Sequence, residues 1–296
     1  MNSLDPSQMT PYGIIIPLSL ACIFVAFLIA CTILTLIVCT KRLHTVTHLL
    51  ICNGSIALIF YCFVQSINYI HLAFMSWETN DSLCRWRGFF GYMTVVATIY
   101  SYLIQAISRF FISILGIRHR WVKSFKTHFI LISIHWSLAV LLPLPALLTE
   151  DIYHRPNALC WVPKDYTLHV AYTVIAYYLI PTIIIFILYI VIFCRVKRRN
   201  LSIFVRRRKA RSNRDLDLLY NIMILFSIYI LGALPIILFV LTKNDVFYSI
   251  GIISVSLALA VEKGVTLIID RDIRNTIRFY LQKTVVQVGP SIRSIS

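Results

Sequence analysis

The stretch YGIIIPLSLACIFVAFLIACTILTLIVCT, from Tyr12 to Thr40, contains no charged residue and is rich in Ile, Leu, Val and Phe. A helix of about 20 such residues crosses the hydrocarbon core of a bilayer. The stretch is too long for the apolar core of a cleavable signal peptide, and no basic segment precedes it. We therefore interpret it as a retained membrane span.

Six further runs of similar length follow, and they lack charge apart from Glu262-Lys263 and the terminal Asp270 of the last run. They are Leu43–Trp77, Gly88–Ser108, Thr127–Thr149, Tyr166–Cys194, Leu218–Thr242 and Val246–Asp270. A charge inside lipid costs several kcal/mol, so these runs predict seven spans and an all-α, polytopic membrane protein. Composition agrees, because 59% of the residues are hydrophobic and only 14% are charged.

Basic residues are distributed unevenly along the 296-residue chain, which has 28 Lys+Arg against 12 Asp+Glu. Residues Met1 to Pro11 contain no Lys or Arg, and the densest basic cluster lies between Arg195 and Arg214. Cytoplasmic loops are enriched in Lys and Arg. The pattern predicts a multi-pass plasma-membrane protein with its N-terminus outside and anionic inner-leaflet lipids, not nucleic acid, as a partner.

Two of the eight cysteines lie on the predicted outer side, Cys84 at the head of span three and Cys160 in the second outer loop. An oxidising compartment favours a disulfide between them, and two unrelated free thiols are the alternative. Asn80-Asp81-Ser82 matches a glycosylation sequon on the same side. Asn80 is therefore a candidate glycosylation site.

Taken in order, these features resemble the rhodopsin-like class of G-protein-coupled receptors. Further matching positions are Trp77 in the first outer loop, Arg109 where the family has the Arg of its Asp/Glu-Arg-Tyr motif, Trp136 in span four, Pro181 and Tyr189 in span five, and Pro235 in span six. The resemblance covers roughly residues 12–283. It implies a receptor for an extracellular ligand that signals through a heterotrimeric G protein.

Several positions depart from the family pattern. Leu58 replaces the Asp of span two, so the family's sodium site is not expected, and Ser108 replaces the acid before Arg109. The Trp of Cys-Trp-x-Pro is missing from Gly232–Pro235, and Glu262–Thr266 replaces Asn-Pro-x-x-Tyr. A divergent receptor fits these changes, and so does a receptor-fold protein without G-protein coupling, such as a decoy or trafficking partner.

The resemblance assigns switch roles to several residues near the inner side. We hypothesise that Arg109 pairs with Asp215 as an inactive-state latch, the alternative being that each is separately solvated. Pro181 and Pro235 each remove a helix hydrogen bond, and Pro235 is either a hinge for outward movement of the inner half of span six or a static kink. Tyr189 is expected to swing toward Arg109, or else to be a plain interfacial tyrosine.

Glu262 and Lys263 are charged residues inside span seven. Neighbouring helix positions point about 100° apart, so we do not expect the two side chains to face each other. We place Glu262 in a hydrated polar site with Asn53 and expect Lys263 to snorkel toward the inner interface. The alternative is a locally satisfied structural pair.

A mainly apolar ligand pocket is expected between the outer halves of the spans, for a peptide or a small apolar molecule. By position, its lining residues are Tyr92, Val95, Thr173, Tyr177, Ile236, Val240 and Ile252. Gly91 and Ser256 occupy the family's amine-binding Asp and retinal-binding Lys positions, which argues against both ligand types. The acids Glu150, Asp151 and Asp165 give the rim a slight negative potential that suits a basic peptide, or serve only loop solubility.

We divide the chain into an extracellular N-terminus (1–11), a seven-transmembrane domain (12–270), a short amphipathic eighth helix (271–283) and a cytoplasmic tail (284–296). The eighth helix is expected because Ile273, Ile277 and Leu281 form one apolar stripe.

A transporter or channel is the remaining function class, and the lack of similarity between the first and last three spans argues against it. The sequence shows no enzyme constellation, no metal-ligand spacing and no cofactor motif.

Overall fold

The computed structural model describes residues 10–74, 80–115, 120–155, 158–163, 165–202 and 206–288. Within these ranges the chain is helical and has no strand. Seven of its helices are long and apolar enough to cross a membrane. The predicted all-α fold with seven spans is therefore confirmed.

Ten α-helices make up the described chain. They are α1 (Thr10–Cys39), α2 (Val46–Phe74), α3 (Asp81–Phe110), α4 (Phe125–Leu141), α5 (Leu144–Leu148), α6 (Thr167–Thr173), α7 (Ile180–Ser202), α8 (Arg206–Thr242), α9 (Asp245–Ile269) and α10 (Arg271–Val288). Span three is α3 with a π-helical turn at Phe111–Leu115, span four is α4 with α5, and span five is α6 and α7 joined by a π-helical turn at Val174–Leu179.

The helices extend beyond the uncharged runs that predicted them. Helix α3 starts at Asp81 and not Gly88, and α8 starts at Arg206 and not Leu218. An uncharged run marks the part of a helix that lies in hydrocarbon, whereas the helix itself continues into water with charged residues. The start of α3 is fixed by Asn80, whose side-chain Oδ1 accepts a hydrogen bond from the Leu83 N–H at 3.2 Å.

Helix α3 is the centre of the bundle, packed against α2, α4, α5, α7 and α8. Its buried face combines aromatic residues with small ones such as Ala97, Ala106 and Thr94. Small residues let helix backbones approach closely in lipid, where hydrophobic attraction between helices is weak. The composition of α3 thus suits a helix surrounded by five neighbours.

Helices α8 and α9 approach each other closely at Gly232. A Cβ atom there would overlap the Ala258 side chain and lie 3.1 Å from the Ser254 carbonyl oxygen. The Ser254 hydroxyl donates a hydrogen bond to the Gly232 carbonyl at 2.7 Å. Glycine is therefore required at position 232 by packing.

The proline of span five lies directly after the π-helical turn at Val174–Leu179. Pro181 has no N–H to bond the carbonyl one turn earlier, and a wider turn is one of the ways a helix absorbs such a loss. Pro235 differs, because α8 runs continuously past it from Arg206 to Thr242.

Helix α10 reaches Val288, five residues past its expected end at 283. After Asp270 the sequence contains no Gly or Pro until Gly289-Pro290. The absence of a helix-breaking residue before this pair explains the longer helix. Ile273 is fully buried against Ile33, Ile37 and Leu43, and Ile277 packs at the edge of the same cluster. This part of the predicted apolar stripe therefore attaches α10 to the first span.

The packing of Gly232 generates a matched test with Gly264. A Cβ at Gly264 would meet nothing within 4 Å, so Gly264→Ala should stabilise the protein by up to about 1 kcal/mol through helix propensity. Gly232→Ala should destabilise it by about 1–3 kcal/mol, because helices α8 and α9 must separate. Thermal unfolding of purified protein in nanodiscs measures both, and equal stability of the two variants would contradict the close-packing argument.

Candidate functional site

The bundle has two chemically different ends. At one end, which we call the disulfide end, Cys84 of α3 and Cys160 form a disulfide with a Cα–Cα distance of 5.2 Å. The predicted bridge is thus confirmed. The opposite end carries Arg109 near the C-terminus of α3, and we call it the arginine end.

The described parts of the loop between α5 and α6 fold over the disulfide end. A Cβ at Gly88 would overlap the Cys160 carbonyl oxygen and lie 2.9 Å from Ile152, so the loop rests directly on α3. The Val162 N–H donates to the Tyr92 hydroxyl at 3.0 Å, and the His154 N–H donates to Asp81 Oδ1 at 2.8 Å. Backbone hydrogen bonds as well as the disulfide therefore hold this loop in place.

Beneath the loop lies a cavity of about 580 Å³, which we call the tyrosine cavity. Seven tyrosines border it: Tyr61, Tyr69, Tyr92, Tyr177, Tyr178, Tyr229 and Tyr248. All seven pocket residues named from the sequence line it as well: Tyr92, Val95, Thr173, Tyr177, Ile236, Val240 and Ile252. Sequence reasoning missed the α2 tyrosines and the loop residues Arg155, Leu159, Trp161 and Val162, because helical periodicity says nothing about the path of a loop.

The acids expected to make the rim negative are partly neutralised. Glu150 forms an ion pair of 2.8 Å with Arg85. Asp151 Oδ2 lies 2.7 Å from His169 Nδ1 and also accepts a hydrogen bond from the Thr149 hydroxyl. Burial opposes the charged form of Asp151, but these hydrogen bonds outweigh it and keep the pKa of this carboxyl below its ordinary value. Asp165 and Asp151 border a separate, open groove beside α5 and α6, not the tyrosine cavity.

Helix α4 contributes a buried polar network that sequence reasoning did not foresee. His135 Nε2 lies 2.8 Å from the Ala97 carbonyl, and His135 Nδ1 lies 3.4 Å from Asn53 Nδ2. A carbonyl only accepts, so Nε2 carries the proton and Nδ1 accepts from the Asn53 amide. The Trp136 Nε1–H donates to Asn53 Oδ1 at 3.0 Å. Asn53 therefore ties α2 to α4.

A second histidine of α4 bonds the residue before Arg109. Ser108, at the family's acid position, lies 2.8 Å from His128 Nε2, and His128 Nδ1 lies 2.9 Å from the Ser124 carbonyl. Nδ1 therefore donates to that carbonyl, and Nε2 accepts from the Ser108 hydroxyl. The position that is charged in the family is thus a neutral link to α4 in this chain.

The expectation that Glu262 and Lys263 do not meet is wrong. Lys263 Nζ lies 3.1 Å from Glu262 Oε1, and the two side chains are 9% and 2% exposed. The flexible ends of long side chains can bend toward each other, and without water their attraction is strong. Asn53 forms its described hydrogen bonds with α4, and Lys263 Nζ donates to Glu262. The hydrated site of Asn53 with Glu262 stays a prediction.

The ion pair borders a small cavity of about 60 Å³ near the arginine end, which also touches Arg109, Gln105 and Tyr102. The second Glu262 oxygen, Oε2, is buried without a partner at full hydrogen-bond geometry among the described residues, and the Tyr102 hydroxyl is the nearby group that interacts with the carboxylate. An incompletely satisfied charge in a low-dielectric interior is energetically sensitive to small displacements. This is the feature of α9 that most suggests a switch.

Two tyrosines connect the large cavity to the small one. Tyr229 of α8 lines the tyrosine cavity, Tyr102 of α3 lines the small cavity, and their ring centroids are 5.7 Å apart. Tyr102 is also next to the Glu262 carboxylate. The Tyr229–Tyr102 contact therefore joins a wall of the candidate pocket to the buried ion pair.

The predicted latch is only partly visible in the described chain. Tyr189 is buried, its hydroxyl has no hydrogen-bond partner among the described residues, and the Arg109 guanidinium is within electrostatic range of it. The side chain of Asp215 and the whole of Trp77 lie outside the described residues. The Arg109–Asp215 pair stays a prediction.

A further cluster at the arginine end joins residues far apart in sequence. His48 Nε2 lies 3.7 Å from Asp270 Oδ2, and Asp270 Oδ1 accepts hydrogen bonds from the N–H groups of Asp272 and Ile273. Side-chain donor atoms of His48, Asp270 and Asp272 lie within 4.8 Å of one another, a spacing compatible with a metal ion that the sequence did not reveal. The hydrogen bonds of Asp270 explain its position as the N-terminal cap of α10.

The Asn53 network predicts non-additive stability effects. Asn53→Leu strands the Trp136 N–H, and Trp136→Phe removes that donor, so each change should cost about 1–3 kcal/mol. The double variant should cost less than the sum by about 1 kcal/mol. Thermal unfolding of wild type, the two single variants and the double variant measures this coupling. Strictly additive effects would show that the Trp136–Asn53 hydrogen bond contributes nothing to stability.

Asp270 predicts a pH effect on stability. Burial opposes its charge, but the His48 imidazole 3.7 Å away and the hydrogen bonds from the α10 backbone hold the pKa of this carboxyl below its ordinary value. The stabilising contribution of Asp270 to folding is therefore fully present above about pH 3.9, the pKa of an Asp in the unfolded chain. It is lost as the pH falls through the lower pKa of Asp270 in the folded protein. The stability difference between wild type and Asp270→Asn should be constant near neutral pH and shrink below about pH 4. Asp165→Asn, a change at an exposed residue, is the control that should follow the wild-type profile.

Comparison with known proteins agrees with this geometry. The family model described as "7 transmembrane receptor (rhodopsin family)" matches residues 13–258. The neuromedin-K receptor of Oryctolagus cuniculus is 29% identical over 171 residues, covering 54% of this chain and 35% of the relative. The neuropeptide FF receptor 2 of Mus musculus is 26% identical over 243 residues, covering 72% of this chain and 56% of the relative.

These matches span about a third to just over half of the length of the relatives. The family consists of receptors and not of enzymes, as expected from the sequence. The family match covers most of the chain, including the first six spans, the first half of the seventh span and both cysteines of the disulfide. The chain belongs to the rhodopsin family of seven-transmembrane receptors.

Proposed function

We propose that this chain is a plasma-membrane receptor that binds an extracellular ligand in the tyrosine cavity and signals through a heterotrimeric G protein. The observation that carries the proposal is the cavity itself, about 580 Å³ in volume and lined by α3, α8, α9 and a loop that a disulfide holds above it. Ligand pockets are typically apolar concavities of this size with few polar groups.

The disulfide end faces outside in this proposal, with the N-terminus on the same side. The basic segment between Arg195 and Arg214 then lies in the cytoplasm, as the distribution of Lys and Arg favours. It would contact anionic inner-leaflet lipids together with α10. Asn80 is exposed at the outer start of α3, which suits glycosylation.

A peptide is the ligand class favoured by the relatives, because two of them are named as receptors for neuromedin K and neuropeptide FF. Both relatives are less than 30% identical to this chain and are matched over only part of their length. Neither relative's named peptide is therefore assigned as the ligand of this chain. The cavity accepts the apolar end of a peptide or a small apolar molecule.

Activation would start at Tyr229, which the ligand contacts from the tyrosine cavity. A shift of Tyr229 moves Tyr102 and with it the surroundings of the Glu262–Lys263 pair. The arginine-end half of α8 would then move outward about Pro235. That movement breaks the Arg109–Asp215 latch and frees Arg109 for Tyr189 and the G protein.

A receptor without G-protein coupling is the second candidate, and a specific observation favours it. The family's Trp is missing before Pro235, and a buried ion pair replaces the Asn-Pro-x-x-Tyr motif. Such a protein would bind its ligand in the same cavity and remain in one conformation.

Signalling from Tyr229 variants tests the proposal. Tyr229→Leu removes the ring that packs on Tyr102, whereas Tyr229→Phe keeps it. With promiscuous G-protein chimaeras and a peptide library, Tyr229→Leu should lower the signal by about threefold or more at equal surface expression. Tyr229→Phe should stay near wild type.

Basal activity separates the two candidates in the same cells. A coupled receptor gives a signal above that of untransfected cells, with or without a peptide, and Arg109→Ala reduces it. Absence of any signal from wild type under all chimaeras and peptides, despite surface expression, would favour the uncoupled receptor.

A further inference from the structure

The wall of the tyrosine cavity carries a positive charge that forms no ion pair within the described part of the chain. Arg155, from the loop between α5 and α6, is the one charged residue among the described residues that line it. Its Nη2 donates to the Trp161 carbonyl at 3.1 Å, and its Nε is buried without a hydrogen-bond partner. A guanidinium has five N–H donors, so most of this group's bonding capacity is unused within the described chain.

Arg155 differs from Arg85 in its ion pairing. Arg85 lies at the same end and forms an ion pair of 2.8 Å with Glu150. Asp151 is engaged by His169 at 2.7 Å. Glu150 and Asp151 thus bond other side chains, and no ion pair joins a described acid to Arg155.

A second donor faces the same region. The Tyr92 hydroxyl accepts a hydrogen bond from the Val162 N–H at 3.0 Å, so its own proton is still available to donate. The Arg155 guanidinium is within electrostatic range of this hydroxyl. Arg155 and Tyr92 can therefore both donate to one anionic group in the cavity.

The rest of the wall is apolar and aromatic. Phe239, Trp161 and aliphatic residues such as Val95, Ile236 and Ile252 form most of it. A polar anchor at one side and an apolar body beyond it define the complementary ligand shape.

We propose that the tyrosine cavity selects an apolar ligand with a carboxylate, which Arg155 binds and Tyr92 hydrogen-bonds. The planar guanidinium matches a carboxylate with two parallel hydrogen bonds. The carboxylate is either the free C-terminus of a peptide or the head group of a fatty acid. This inference rests on the cavity of the proposed function but not on G-protein coupling, and it replaces the expectation of a basic peptide, since Arg155 repels a cation.

Binding to the purified full-length protein in nanodiscs tests the inference without any signalling step. The probes are matched pairs that differ only in charge: oleate and methyl oleate, and a library of short peptides ending in Phe or Leu as free acids and as C-terminal amides. At least one acid should raise the Tm in a dose-dependent way, and its neutral partner should bind about tenfold or more weakly.

Arg155→Gln should weaken the acid about 30-fold or more, because a buried anion then lacks its partner. Arg155→Lys keeps the positive charge but cannot form two parallel hydrogen bonds, so its affinity for the acid should lie between those of wild type and Arg155→Gln. The control is Arg85→Gln, which removes a neighbouring charge that does not line the cavity and should change affinity less than about threefold.

The binding results distinguish a lipid ligand from a peptide ligand, and they test carboxylate selection separately from G-protein coupling. Binding of oleate alone assigns a lipid, and binding of peptide acids alone assigns a peptide. Equal binding of acid and neutral partner, tighter binding of cationic peptides, no Tm shift with any acid, or undiminished binding by Arg155→Gln would each overturn the inference. If Arg155→Gln fails to fold, Arg155→Lys and the wild-type comparison of acid with neutral partner decide. Acid binding without G-protein activation would uphold the inference and contradict the coupling proposed above.

Discussion

Hydrocarbon offers no hydrogen-bond partner, and this constraint shapes the whole bundle. Every backbone N–H and C=O in a span must be paired inside its own helix, which is why seven uncharged runs become seven helices. Lipid also removes most of the hydrophobic attraction between helices, so they must fit closely instead. Gly232 against Ala258, with the Ser254 hydroxyl bonded to the Gly232 carbonyl, shows both requirements met at one point.

The buried polar side chains of the bundle differ in how completely they are hydrogen-bonded. Both ring nitrogens of His128 and of His135 are paired, so the junction of α4 with α2 and α3 is fixed in one arrangement. The Glu262–Lys263 pair in α9 leaves one carboxylate oxygen without a partner at full hydrogen-bond geometry among the described residues. Buried polar networks that are complete hold a single structure, whereas incomplete ones respond to small movements. The α4 side is thus suited to be the static frame, and the interface of α8 and α9 with α3 to be the moving part.

The sequence could predict the features that depend on residues close together in the chain, but not the contacts between residues far apart in it. The cost of a charge in lipid is a property of each run, so the seven spans followed from composition. The positions of residues along the spans, compared with the resembling family, named seven residues that line one cavity. The hydrogen bond of Asn53 with His135 was not foreseen, because His135 is 82 residues away and its approach depends on helix packing. Glu262 and Lys263 were judged from the directions of their Cβ atoms, which do not fix where long side chains end. Arg155 was missed because a loop has no periodicity that shows which residues turn inward.

In the proposed activation, the cavity joins a loop that a disulfide holds in place to helix α8, which moves, and this difference would let ligand binding shift the conformational equilibrium. Arg155 belongs to a loop held by the Cys84–Cys160 disulfide and by hydrogen bonds to α3 and α9, so a ligand anchored there has a stationary end. Its apolar body would press on Tyr229 of α8, which in turn packs on Tyr102 beside Glu262. A ligand shifts a conformational equilibrium only as far as it binds one state better than the other. An anion anchored at Arg155 would meet that condition, because its head group would keep the same contacts in both states while its apolar body would contact α8, the helix proposed to move.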